Sequence, residues 1–156
     1  MKKNVIVNLL YYGCTLLLVP AVLLSIETHF LVRRPSVVLR VISLLLGGAG
    51  IVIQSWAIDF LERFGKGTPS PAVPTQQLVT VGPYRYVRNP LNTGEVMLLL
   101  ALAGWFASPA VFAYSLLAWL AFHLFIIRWE EPRLEERFGD RYSTYRATVG
   151  RWIPKM

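Results

Sequence analysis

LVTVGPYRYVRNPLNTG, residues 78–94, is a polar and aromatic stretch set between two hydrophobic halves of the chain. Its two glycines, two prolines, two tyrosines, two asparagines and two arginines exclude a membrane span at this point. Pro83 and Pro90 each fix φ, and each pushes the residue before it, Gly82 or Asn89, away from helical angles. The expected backbone is a shaped loop whose N–H groups are not committed to a helix or a sheet. Arg85 and Arg88 add positive charge, and Tyr84 and Tyr86 add flat faces with polar tips. Two readings follow: a binding site for a polar, partly planar ligand, or an anchor for lipid headgroups, where arginine and tyrosine also gather.

The flanks have membrane composition. The 156-residue chain is 54% hydrophobic with a mean hydropathy of +0.47, and its length suits one domain. Upstream, the apolar run Val5–Ile26 supplies the ~20 residues of a helical span. It reads as a retained helix with Tyr11 and Tyr12 near one end and a kink at Pro20. Glu27–Ser36 reads as a polar turn, and Val37–Ile58 as a second span. Gly47, Gly48 and Gly50 sit deep in that apolar helix, where small residues let helices approach closely. Asp59, Glu62 and Arg63 should end the span, and FGKGTPSPAVP, residues 64–74, cannot be regular structure. Downstream, Asn92–Ala107 and Ala110–Ile127 flank a turn at Ser108 and Pro109, which predicts an antiparallel hairpin. From Arg128 the chain turns charged. Pro132 is expected to open a helix that Gly139 closes, and Asp140 to cap the next, placing Tyr142, Tyr145 and Val149 on one face.

Charge sets the expected orientation. With four spans and both ends on one side, that side holds 13 of the 16 lysines and arginines, and the other holds Arg33, Arg34 and Arg40. The positive-inside rule then puts both termini and residues 61–94 in the cytoplasm. The net charge of +7 reads as cytoplasmic loops rather than nucleic-acid binding. Cys14 has no second cysteine, and His29 and His123 have no companions at ligand spacing, so no metal site is expected. His123 reads as a helix-packing residue. Glu130 and Glu131, beside Arg128 at the exit of the fourth helix, fit either a solvated helix end or a ligand site.

The motif series LV-T-x-G-x-Y, R-x-P-x-x-x-G, a hydrophobic hairpin, EE-x-x-L, FG-x-x-Y-x-x-Y and V-x-x-W-I-P spans about Gly67–Pro154. It resembles the isoprenylcysteine carboxyl methyltransferase family, whose superfamily includes integral-membrane phospholipid methyltransferases. The resemblance implies an all-α integral membrane protein of about four transmembrane helices: two spans in 1–60, a cytoplasmic loop in 61–94, a hairpin in 95–127 and a tail in 128–156. Loop and tail together would form a pocket for S-adenosyl-L-methionine. Implied cofactor contacts are Gln76, Gln77, Leu78, Val79, Tyr84, Asn89, Pro90, Leu91, Asn92 and Glu130. Arg88, Arg128 and Glu131 are expected to orient a lipid-like or prenylated acceptor for carboxyl methylation of the isoprenylcysteine type. Two positions depart from the prenylcysteine enzymes: the family pattern R-H-P-x-Y-x-G has Asn89 and Asn92 here at its histidine and tyrosine, and Ile126 stands where those enzymes place an arginine. Phospholipid N-methylation, an NADPH-dependent membrane reductase and a non-catalytic headgroup- or partner-binding protein are the alternatives.

Overall fold

Helices α1 (Val19–Phe30), α2 (Val37–Gly65), α3 (Pro90–Phe106), α4 (Pro109–Phe125), α5 (Glu131–Phe138) and α6 (Asp140–Thr148) make up most of this computed structural model, which describes residues 13–30, 34–66 and 75–155. Among the described residues there is no strand, only an isolated parallel bridge between Val87 and Gly150. The expected start of the first helix, with Tyr11 and Tyr12, lies outside the described residues, as does most of the proline-rich stretch after Gly65. Two helical runs, Val37–Gly65 and Pro109–Phe138, are long and apolar enough to cross a membrane, whereas Gly13–Glu27 and Pro90–Phe106 are shorter.

Several expected boundaries move. α2 continues seven residues past Ile58, carrying Asp59, Glu62 and Arg63 inside the helix. Arg63 pairs with Asp59 at 2.6 Å one turn away. Charge ends the lipid-compatible surface there without ending the helix. α1 likewise runs through Glu27, so the polar turn before α2 is shorter than expected, and the Ser36 hydroxyl caps α2 by accepting the Leu39 N–H. Pro90 opens α3, where its missing N–H would have had no helical partner anyway.

Two prolines lie inside helical runs, and each follows a widened π turn. A proline ring strikes the carbonyl four residues back and cannot bond it. At Gly13–Leu18 before Pro20, and at Ile126–Glu130 before Pro132, the wider turn displaces that carbonyl. The Glu131 N–H reaches five residues back to Ile126. Pro132 therefore does not open a separate helix, and α4 runs into α5 through the π turn. Gly139, at φ +54°, does close α5, but Asp140 forms no side-chain cap on α6. Val149 is extended beyond α6 and leaves the Tyr142–Tyr145 face.

The chain forms two compact units, and α2, α3 and α4 each contribute to both. The unit built from the chain up to Val52 and Gly94–Ala118 is held by small residues and a few polar anchors. Gly104 faces Ser43, Gly47 faces Ala101, and Gly50 faces Gly94, Met97 and Leu98. Each turn up α2 thus meets a turn down α3, the register of an antiparallel pair in close contact. In the same unit, the Ser108 hydroxyl accepts the Val111 N–H and donates to Glu27, whose other oxygen accepts the Ala110 N–H. A carboxylate from α1 thereby satisfies the first N–H groups of α4 and faces the positive end of its dipole.

The glycines at this contact are not equivalent. A Cβ on Gly50 would lie 2.9 Å from the Gly94 carbonyl, whereas one on Gly48 would meet nothing within 4 Å. Gly50→Ala should destabilise the protein by about 1–3 kcal/mol through overpacking. Gly48→Ala should stabilise it by up to ~1 kcal/mol through helix propensity. Thermal unfolding of the two variants in detergent reads the difference.

Candidate active site

The second unit, Ile53–Thr93 with Trp119–Met156, contains all the cofactor and acceptor residues expected from the sequence. Its loop is built on the end of α2. The Gln76 and Gln77 N–H groups both donate to the Gly65 carbonyl, at 2.7 and 3.2 Å. Gly82 adopts φ +62° and lies flat on the Phe60 ring, so both its conformation and its lack of a side chain are required. A short 3₁₀ turn, Gly82–Arg85, follows, with Pro83 and Tyr84 buried. Ala57, Val79 and Tyr84 form the apolar floor, with Phe60, Leu61 and Leu91 packed against it. Tyr145 on α6 donates to the Tyr84 carbonyl at 2.6 Å. Burial raises the Tyr145 phenol above its ordinary pKa and keeps it a donor.

The loop and the tail are joined by ions. Glu131, only 6% exposed, receives two bonds from Arg151, Nε to Oε1 at 2.7 Å and Nη2 to Oε2 at 2.9 Å. Arg88 Nη1 lies 3.0 Å from the same Oε1 and 3.3 Å from the Tyr142 hydroxyl oxygen. Burial alone would raise the Glu131 carboxyl. The Arg151 bonds and the charges of Arg88, Arg151 and Arg146 outweigh it and hold the group below the usual carboxylate range.

Three consecutive tail residues fasten this arrangement. The Gly150 carbonyl accepts the Arg88 N–H at 2.8 Å. Arg151 holds Glu131 with its side chain and accepts a long bond from the Asn89 amide with its carbonyl, at 3.4 Å. Trp152 Nε1 donates to His123 Nδ1 at 3.0 Å, and Trp119 stacks on that imidazole. His123 is thus a packing residue, tied to the tail by the indole.

The structure assigns the expected site residues different surroundings. Val79, Tyr84 and Leu91 share the apolar floor, and Pro90 is fully buried beside them in sequence. Gln76 and Gln77 are exposed, and Leu78 and Asn92 are half-buried. Arg88 and Glu131 are partners of one another. Arg128 is exposed and makes no ion pair or hydrogen bond among the described residues. Glu130 is half-buried and likewise has no such partner. Burial, with the charge of Glu131 added, pushes the Glu130 carboxyl up.

The sequence profile of the phospholipid methyltransferase family matches residues 38–141, about two thirds of the chain. This chain belongs to the phospholipid methyltransferase family. No curated protein matches it. The family match runs from the start of α2 through α5, and so takes in the loop, Arg88, Glu130 and Glu131 but stops short of Tyr142 and Arg151. Neither carries a site role in the sequence reading: Tyr142 enters it only as the first tyrosine of FG-x-x-Y-x-x-Y on a helix face. Arg151 lies within V-x-x-W-I-P, where its charge looked like one more cytoplasmic arginine. Two buried polar atoms in this unit have no partner among the described residues, Arg88 Nε and Gln54 Nε2.

The Glu131 pairing carries a pH dependence. Its folded-state pKa is depressed, so the pairing contributes fully above the unfolded value, about 4.3, and is lost as pH falls through the folded value. Acid should therefore lower the melting temperature of the wild type in that window, and Glu131→Gln should flatten the dependence. The same substitution leaves two arginines without their buried counter-charge and should cost on the order of 3–5 kcal/mol at neutral pH. Melting curves from roughly pH 3 to pH 7 check both effects.

Proposed function

We propose that this chain is an S-adenosyl-L-methionine-dependent methyltransferase that acts on a lipid-like acceptor drawn from the bilayer. Membership of the phospholipid methyltransferase family supports the reaction class. The observation that carries the cofactor reading is the division of labour within the Glu130–Glu131 pair. Glu131 has both oxygens engaged by arginines, whereas Glu130 is a half-buried carboxylate with no partner among the described residues. A carboxylate in that state suits ribose hydroxyls or a ligand ammonium through charge-assisted bonds. The half-buried Asn92 and Leu91, in the same compact unit, are further candidates for cofactor contact.

Bound S-adenosylmethionine supplies a methyl group made electrophilic by the adjacent sulfonium. The residues of the chain hold the acceptor in line with that methyl and exclude water, and such positioning contributes much of the acceleration. Arg88 and Glu131 act as positioning residues that fix the loop, while exposed Arg128 is available to an anionic group on the acceptor. Ile126 supports a reading of the acceptor. It is 1% exposed and apolar, at the position where the prenylcysteine enzymes place an arginine. That favours an amine of a phospholipid over a prenylcysteine carboxylate, and an ammonium must lose a proton before it can attack.

Glu130→Gln should weaken S-adenosylhomocysteine binding roughly tenfold to hundredfold while leaving the melting temperature near that of the wild type. Calorimetric titration in detergent measures it, and equal affinities would remove the support for this reading. NADPH titrated into the wild type tests the reductase alternative, since NADPH binding without S-adenosylhomocysteine binding would favour it. Four spans with both termini cytoplasmic complete the proposal, on the 13 to 3 division of basic residues. A topology reporter fused after Met156 should be active on the cytoplasmic side.

A further inference from the structure

The loop turns its aromatic and basic residues to two sides. Tyr84 is 7% exposed on the apolar floor and Arg88 pairs with Glu131, whereas Arg85 is exposed and Tyr86 keeps 50% of its surface open. The outward pair belongs to a larger aromatic face. The Tyr86 ring lies 6.5 Å from the Trp56 ring of α2, and Trp56 meets Phe60 edge to face at 6.0 Å. Phe60 in turn meets Phe64 at 5.2 Å. Four rings thus join the loop to the last turns of α2, and Trp56, Phe64 and Tyr86 are all exposed. The Arg85 guanidinium carbon sits 5.3 Å from the centre of the Tyr86 ring, a cation–π distance.

Depth and charge identify what covers this face. α2 carries no charged residue from Val41 to Ile58, a stretch of 18 residues. At 1.5 Å per residue it is ~27 Å long, close to the ~30 Å of a hydrocarbon core. Arg40 closes one end, its guanidinium over the Trp105 ring at 5.9 Å, and Asp59 closes the other. Trp56 is three residues inside Asp59, ~4.5 Å along the axis, which is the level of a membrane's aromatic belt. Tyr86, beside Trp56, shares that level, and Arg85 beside Tyr86 comes within reach of the lipid phosphates. Arg85 makes no ion pair among the described residues. A guanidinium brings five N–H donors and no acceptor, and phosphate oxygens accept such donors in pairs.

We infer that Arg85, Tyr86 and Trp56 form an interfacial anchor that binds phosphate groups of the bilayer's headgroup layer and holds the loop at that level. The anchor uses none of the residues assigned to the cofactor or the acceptor, so it stands or falls separately from the methyltransferase reading. Ligand site and headgroup anchor, the two readings of one stretch, fall to different side chains within it.

The full-length protein is compared in phospholipid vesicles and in a maltoside detergent, which has no phosphate, and hydrogen exchange is followed at the amides of residues 80–88. Vesicles should slow exchange in the wild type, because opening the loop breaks the anchor. Arg85→Gln should lose roughly fivefold of that slowing. Arg85→Lys should keep part of it, and neither variant should change the melting temperature in detergent. Equal slowing in the wild type and Arg85→Gln overturns the inference. Inorganic phosphate that reproduces the slowing in detergent would replace the headgroup layer with a soluble anion. Depth is read independently from tryptophan emission, with Trp56→Phe identifying the share that belongs to Trp56. Phosphatidylcholine brominated near the headgroup end of its acyl chains should quench that share more than the same lipid brominated near the chain ends. The reverse order, or no quenching by either lipid, rules out the placement.

Discussion

The carboxylate of Glu131, shared between Arg88 and Arg151, is the constraint on which the polar half of this protein depends. Burying three charges is costly, and the cost is offset only where geometry is good and remaining hydrogens find partners. Arg151 meets the carboxylate with two parallel bonds, and Arg88 adds the Tyr142 oxygen to its pairing with it. Through these bonds a loop preceding α3 and a tail following α6 become one piece. Tyr145 adds a bond to the loop's backbone, and Gly150 another. The loop is therefore fastened to the tail by the chain's own side chains and backbone.

In the apolar unit the same physics operates with fewer polar groups. No water is available in the hydrocarbon to satisfy a helix end, so the protein must supply partners itself. Glu27 and Ser108 do this for α4. Between α2 and α3 the attraction comes from close contact of backbones rather than from exclusion of water, since lipid is as apolar as leucine. Gly50 against the Gly94 carbonyl is the point of that contact where backbone meets backbone.

Much of this was legible from composition and spacing. The helical character, the packing role of Gly47 and Gly50, the shaped loop around Gly82 and Pro83, and the membership of a membrane methyltransferase superfamily all follow from local patterns. What escaped the sequence were long-range pairings and helix irregularities. Arg151 and Glu131 are twenty residues apart, and nothing in either position distinguishes a buried partner from a solvated charge. The charged end of α2 suggested a stop because polarity was equated with the end of a helix. The regular angular step of the helix is also lost at Ile126–Glu130, where a wider turn replaces it.

That wider turn has a genetic counterpart. A π turn accommodates one more residue than the α-helix needs to cover the same rise. Removing a single residue from Ile126–Glu130 would restore regular α-helical geometry and place the Pro132 ring against the carbonyl four residues back. The segment should thus tolerate substitutions at its exposed positions far better than any change in length, and the reading frame of the helix, more than the identity of most residues in it, keeps the two ends of the site in register.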